Sequence, residues 1–428
     1  MEVIALIMFV LIFVLILAGV QVAFVLGGLS AIVGMLFVPD FLDLLPLRIM
    51  GVMRNQVLIA VPLFIYMGLM LEKSGLAQNM LVAMARLMGN RRGGLALSVV
   101  IVGALLAAST GIVGATVVTM GLISLPAMLE QKYDKGLACG TIASAGTLGQ
   151  IIPPSVVLVL LGSVLSVSVG DLFRAALTPG LILVGAYIAY ILIISRMYPS
   201  MAPQYNPVDD ELQISTTDAA FAFMLPFGLM VAVLGSIFAG IASPTEAAAV
   251  GALGACILTL LRRKFTLSIL QEVMRETTRL TSMVFLILLG ATTFSLVFKG
   301  LDGDQYLIEL IQQSNLEPMV FLAVVMIGVF ILGFFIDFIE IIFIVVPVVA
   351  PVFVNYEMDL IWIGILLALN LQTSFLTPPF GFSLFYLKGV APDSVKTTDI
   401  YRGVLPFLAI QIVLLVVVVL KPNWIGVV

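Results

Sequence analysis

Two double prolines inside apolar runs constrain this chain more than any other feature. Pro153 and Pro154 close the stretch Gly149-Gln150-Ile151-Ile152, and Pro378 and Pro379 close Ser374-Phe375-Leu376-Thr377. Proline has no backbone donor and its ring clashes with the preceding turn, so no straight helix runs through either place. In lipid an unpaired backbone group is costly, so a helix interrupted there must be packed in protein or line a polar cavity. Lipid is the medium the composition implies: 62% of residues are hydrophobic and 10% charged, where soluble domains carry roughly a quarter charged residues. The expected fold is an all-α polytopic membrane protein with a site at mid-membrane, where the two breaks lie.

Pro153 and Pro378 stand 225 positions apart, and the same offset recurs without a gap. It pairs Gln21 with Glu246, Gly75-Leu76 with Gly300-Leu301, Asn90 with Asn315, Gly103 with Gly328, Pro126 with Pro351 and Asp134 with Asp359. A register held over that length is an internal repeat, and in a membrane chain it points to a transporter with its site between the halves. Charge tells the relative orientation. Arg86, Arg91 and Arg92 mark one loop of the first half, whereas its counterpart from 301 to 318 holds Asp302, Asp304, Glu309 and Glu317 and no basic residue. The positive-inside bias therefore flips, which is the mark of inverted repeats.

In chain order, residues 1–197 read as the first repeat, 198–218 as a polar cytoplasmic linker and 219–428 as the second repeat. Apolar runs at 3–18 and 22–38 make two spans or one long tilted helix, and the first lacks the basic flank of a cleaved signal. Residues 40–55 read as an interfacial helix, and 56–72 as a span. The run from 94 to 131 has basic residues at both ends, so it reads as a re-entrant hairpin turning at Ser109-Thr110-Gly111, with two tightly joined spans as the alternative. A broken helix at 137–168 follows. The second half repeats the order with an interfacial helix at 262–279, a span at 281–298, a hairpin at 319–355 and a broken helix at 360–390. About ten spans, two opposed hairpins and external termini result.

The chain has no histidine, which removes the commonest general base and the usual zinc ligand. Its net charge of −4 gives no footing for nucleic acid. Cys139 and Cys256 lie in apolar runs and read as small buried hydrophobes. Nothing resembles a nucleotide loop or catalytic triad, and no enzyme activity or organic cofactor is expected. Three carboxylates fall in apolar runs and are candidates by that fact. Glu246, after Ser243-Pro244-Thr245, reads as a helix-start cap or a functional group. Asp337 and Glu340 share a helix face near the second hairpin tip, as a cation site, a relay or a cap. At the breaks, freed carbonyls suit a small cation and half-helix N-termini suit an anion. Ser109, Thr110, Ser144, Thr373, Ser374 and Thr377 add hydroxyls, each of which could equally be helix-packing glue.

Taken together, Gly149 to Ser155, the Ser243-Pro-Thr-Glu-Ala-Ala-Ala249 segment, Asp337 and the Leu376-Thr-Pro-Pro-Phe-Gly381 run resemble the large membrane subunit of the tripartite ATP-independent periplasmic (TRAP) transporters, over essentially the full length. The resemblance implies a sodium-coupled elevator importer in the bacterial inner membrane. It implies two partners, a small four-span membrane subunit and a periplasmic protein that delivers an organic acid. It also implies that Ser109, Thr110, Gly111, Gly149, Pro153, Asp337, Thr373, Thr377 and Pro378 hold sodium, largely through backbone carbonyls. A stand-alone sodium/carboxylate symporter of similar architecture is the nearest alternative; an intramembrane protease lacks its histidine or aspartate pair.

Overall fold

The computed structural model describes residues 1–88, 91–111, 113–204, 216–314 and 316–425. Asn90 and Asn315, paired by the offset, and most of the 198–218 linker lie outside these. Prolines, glycines and capping residues divide the described chain into helices. α1 (Glu2–Leu17) precedes α2 (Val22–Phe24) and α3 (Ser30–Phe37), which flank a wider π-helical turn; α4 (Pro39–Leu42) and α5 (Leu45–Met53) are short. Then come α6 (Ala60–Lys73), α7 (Leu76–Met88), α8 (Gly94–Thr110), α9 (Val113–Glu130), α10 (Lys135–Thr147), α11 (Val156–Leu165) and α12 (Val169–Met197). The second half holds α13 (Thr216–Phe238), α14 (Pro244–Leu261), α15 (Leu267–Gly300), α16 (Gly303–Gln313), α17 (Pro318–Leu332), α18 (Phe338–Ile344), α19 (Val346–Asn355), α20 (Leu360–Leu376), α21 (Phe382–Val390) and α22 (Thr397–Leu420).

Among the described residues, 7 helices are long and apolar enough to cross a membrane, and the α18–α19 pair, bent by 51°, would make 8. The protein is a multi-pass, all-helical membrane protein. Both double prolines fall between helices, and both Pro-Pro bonds are cis. The helix leading into each break is opened by an aspartate: Asp134 Oδ1 accepts from the Leu137 amide at 2.9 Å, and Asp359 Oδ1 accepts from those of Ile361 and Trp362 at 2.7 and 3.1 Å. Every residue from Leu137 to Thr147 and from Trp362 to Leu376 is buried. On α1, by contrast, only Ala5, Met8 and Ile12 are buried. The helices leading into the breaks lie at the centre while α1 faces outward, as the cost of unpaired backbone in lipid demands.

α22 holds the centre together. Against α10 it packs backbone to backbone: a Cβ on Gly140 would run into the Gly403 carbonyl, and one on Gly403 into that of Gly136. It also accepts, through the Val418 carbonyl, the Trp362 indole N–H of α20 at 3.0 Å. The Gln411 amide donates to the Tyr187 hydroxyl of α12 at 2.7 Å. On another side α6 packs against α14 and α15, with Lys73 and Glu272 paired at 2.7 Å.

Two boundaries differ from the sequence expectation. The interfacial helix at 262–279 and the span at 281–298 are one continuous helix, α15, opened by the Thr266 hydroxyl on the Ile269 amide. The change from charged to apolar residues near Thr281 is a change of surroundings, and no proline or glycine between 267 and 289 interrupts the backbone. The acidic stretch from 301 to 318 is largely helix α16. Leu307, Ile308 and Ile311 recur at helical spacing there, an apolar stripe hidden among the charges.

Candidate transport site

The first turn-round, between α8 and α9, passes through Gly111 at φ +63°, a left-handed conformation that favours glycine. Its amide donates to the Ala107 carbonyl at 2.9 Å and ends α8. A Cβ on Gly111 would lie 2.6 Å from Val156, the first residue of α11, and one on Gly149 would strike the Ala107 carbonyl. The turn between α8 and α9 therefore touches both sides of the first break. In the second half, Gly333, just after α17, packs so closely on Ser374 that a Cβ there would collide with its side chain. Cross-contacts join the halves: the turn at 148–150 packs on α20, α11 on α18, and α21 on α9.

Backbone groups released by the prolines are partly taken up by hydroxyls. Ser155 donates to the Gln150 carbonyl at 3.0 Å, Ser383 to that of Phe375 at 2.7 Å and Thr377 to that of Thr373 at 2.7 Å. Thr373 donates to Leu369 at 2.7 Å. A hydroxyl that spends its proton this way keeps its oxygen lone pairs outward, as a neutral hard ligand. Other polar groups here have no partner among the described residues. They are the Ser144 and Ser374 hydroxyls and both polar atoms of the Gln150 and Gln372 amides, with all four side chains at 0% exposure. Buried polar atoms are nearly always hydrogen-bonded, because an unsatisfied one costs about 1–3 kcal/mol. Four such residues lie at the two breaks, and their unpartnered polar atoms are the candidates there for holding a ligand.

Of the expected site residues, Gly111, Gly149, Pro153, Ser144, Thr373, Ser374, Thr377 and Pro378 lie at these two junctions of tip and break. Ser109 and Thr110 close α8 beside them, with side chains outside the described residues. Asp337 is spent differently: its Oδ1 accepts from the Phe338 amide at 2.8 Å, while Glu340 accepts from the Asp337 amide at 3.2 Å. This capping box opens α18, and no hydrogen bond among the described residues joins Asp337 to Thr373, Ser374 or Thr377. Glu246 is likewise a cap, accepting from the Ser243 amide at 2.8 Å at the start of α14. Sequence reasoning favoured backbone carbonyls and hydroxyls at the breaks, with Asp337 beside them, and passed over Gln150 and Gln372. The usable signal was an uncharged amide within six residues of each double proline. Among the described residues no cluster of carboxylate, cysteine or histidine ligands exists. The unpartnered groups at the breaks are uncharged hydroxyls and amides, unlike the histidine and thiolate sets that hold transition metals.

Comparison with known proteins agrees with this architecture. The crystal structure of the Alcanivorax borkumensis YdaH transporter superposes with a TM-score of 0.65 over 94% of this chain and 96% of that one, at 14% identity, a likeness of fold. The C4-dicarboxylate TRAP transporter large permease protein DctM of Pseudomonas aeruginosa is 32% identical over 409 residues, 94% of each chain. The ectoine/5-hydroxyectoine TRAP transporter large permease protein UehC of Ruegeria pomeroyi is 30% identical over 374 residues, 86% of this chain and 85% of that one. The family model of the tripartite ATP-independent periplasmic transporter, DctM component, matches residues 9–424. With the family model and the relatives in accord along nearly the whole length of the chain, the protein belongs to the DctM family of TRAP transporter large permeases.

Proposed function

We propose that this chain is the permease of a sodium-coupled importer, moving a small organic acid anion across the bacterial inner membrane after delivery by a periplasmic binding protein. It works with a small four-span membrane subunit. Residues 1–197 and 219–428 form inverted repeats with opposed hairpins and about ten spans, and the body carrying the hairpins and breaks slides as an elevator. In support, the offset pairs residues of like role: Asp134 and Asp359 each cap a broken helix, and Pro126 and Pro351 each lie inside the second arm of a hairpin.

The observation that carries the reading is the set of buried, unpartnered groups Ser144, Gln150, Gln372 and Ser374 where hairpin tips meet breaks. Sodium sits among hydroxyl and carbonyl oxygens there, and the substrate carboxylate faces the ion and the half-helix amides. Linkage then makes each ligand tighten the other by one factor.

Reconstituted permease with its small subunit, assayed with a panel of organic acids, tests this. Uptake should require both sodium and the binding protein. Uptake in potassium at the same rate would refute sodium coupling, and full uptake without a binding protein would favour a stand-alone symporter.

A further inference from the structure

We propose that the second junction carries an aromatic wall which selects an organic acid with a planar apolar body over a compact dicarboxylate; this rests on the transport reading above. Phe334 and Phe335 directly follow Gly333, the tip glycine that abuts Ser374, and Phe380 directly follows the second double proline. Their rings face one another across the junction: Phe334 and Phe380 have centroids 6.1 Å apart, Phe335 and Phe380 5.6 Å, and Phe330 backs Phe334 at 5.0 Å. Phe335 and Phe380 are 50% and 44% exposed, so the cluster presents ring surface outward. Tyr386, on the half-helix after the break, lies against Gly114 just past the first hairpin tip, where a Cβ would come within 2.8 Å of its ring. Aromatic rings thus stand both at the second break and against the start of α9.

The internal offset makes the asymmetry plain. The residues 225 positions before Phe334, Phe335 and Phe380 are Ser109, Thr110 and Ser155. Hydroxyl-bearing positions in one half are aromatic in the other, while Ser374 keeps an unpartnered hydroxyl against Gly333, next to Phe334 in the chain. Across 102–118, 144–160, 326–342 and 370–386 there is no lysine or arginine. One carboxylate can be met by the ion and neutral donors, but a second would lie desolvated and unpaired against phenylalanine, which is costly. An aryl or similarly flat body instead gains offset stacking on those rings.

The test uses the full-length purified chain and follows its thermal-unfolding midpoint while phenylpyruvate or succinate is titrated in sodium and in potassium. Phenylpyruvate should act in sodium at about tenfold lower concentration than succinate. Phe380→Ser and Phe335→Thr, which install the residues found at the offset positions, should each cut that preference at least about threefold. A sodium response of the midpoint identifies variants that are folded, and either one suffices. Succinate acting as well as phenylpyruvate on the native chain would overturn this inference alone, as would a preference unchanged in the variants, which would leave the rings facing lipid. Failure of every acid to shift the midpoint in sodium would overturn the transport reading and this inference with it.

Discussion

A glutamine side chain with nothing to bond is a different object from a buried leucine. Gln150 and Gln372 are fully buried, and neither amide has a hydrogen-bond partner among the described residues. Each is a stability cost that a bound ligand or ordered water offsets. Replacing Gln372 by methionine, of nearly the same shape, should stabilise the ligand-free protein by about 1–2 kcal/mol. The same change should lower uptake at least tenfold, with thermal unfolding and transport measured on one preparation. A lowered midpoint would mean that the amide is satisfied in the resting protein. Asp337 makes the opposite case, because asparagine caps a helix about as well as aspartate does. Asp337→Asn should therefore unfold within about 1 kcal/mol of the native chain. Its half-maximal sodium concentration for uptake should nonetheless rise severalfold if the carboxylate supports the ion's field. An unchanged sodium requirement would leave Asp337 as a cap alone. Which polar groups stay unpaired was not legible in the sequence, since pairing depends on neighbours hundreds of positions away. That the double prolines break their helices was legible, because the missing donor is a property of the residue itself.

Helices end where the backbone is interrupted, and α15 shows how composition misleads about that. Its first third is charged and its remainder apolar, yet one helix runs from Leu267 to Gly300. Thr281→Pro, at the change of composition, should cost about 3 kcal/mol or more and sharply reduce folded yield; a separate interfacial helix and span would tolerate it. The capping aspartates before each break were visible as the pair Asp134 and Asp359, because a short acceptor ahead of an apolar run is a local signal. The glycines of α10 and α22 were not, since small residues reveal neither their partner nor the closeness of approach. Gly403→Ala places a methyl group against a facing carbonyl that cannot rotate away. It should destabilise by about 1–3 kcal/mol, read as a lower unfolding midpoint in detergent.

At the scale of the whole molecule, the inverted arrangement rests on which side of the membrane each loop faces. Arg91 and Glu317 are exposed and lie in the two loops of opposite charge bias. Single cysteines there, in a chain with Cys139 and Cys256 replaced, should react with impermeant reagents from opposite faces, Arg91→Cys from the cytoplasm. Reaction from one face would end the model of opposed halves.

The place of α22 has a practical consequence. It is fastened to α10 by bare backbone and to α20 by the Trp362 indole, so the helices leading into both breaks share one tether. Trp362 is one of two tryptophans in the chain. With Trp424 changed to phenylalanine, a single native fluorophore would sit at this joint, donating to the Val418 carbonyl. Its emission would report, without any attached dye, whether the tether holds or loosens as ions and acid are added.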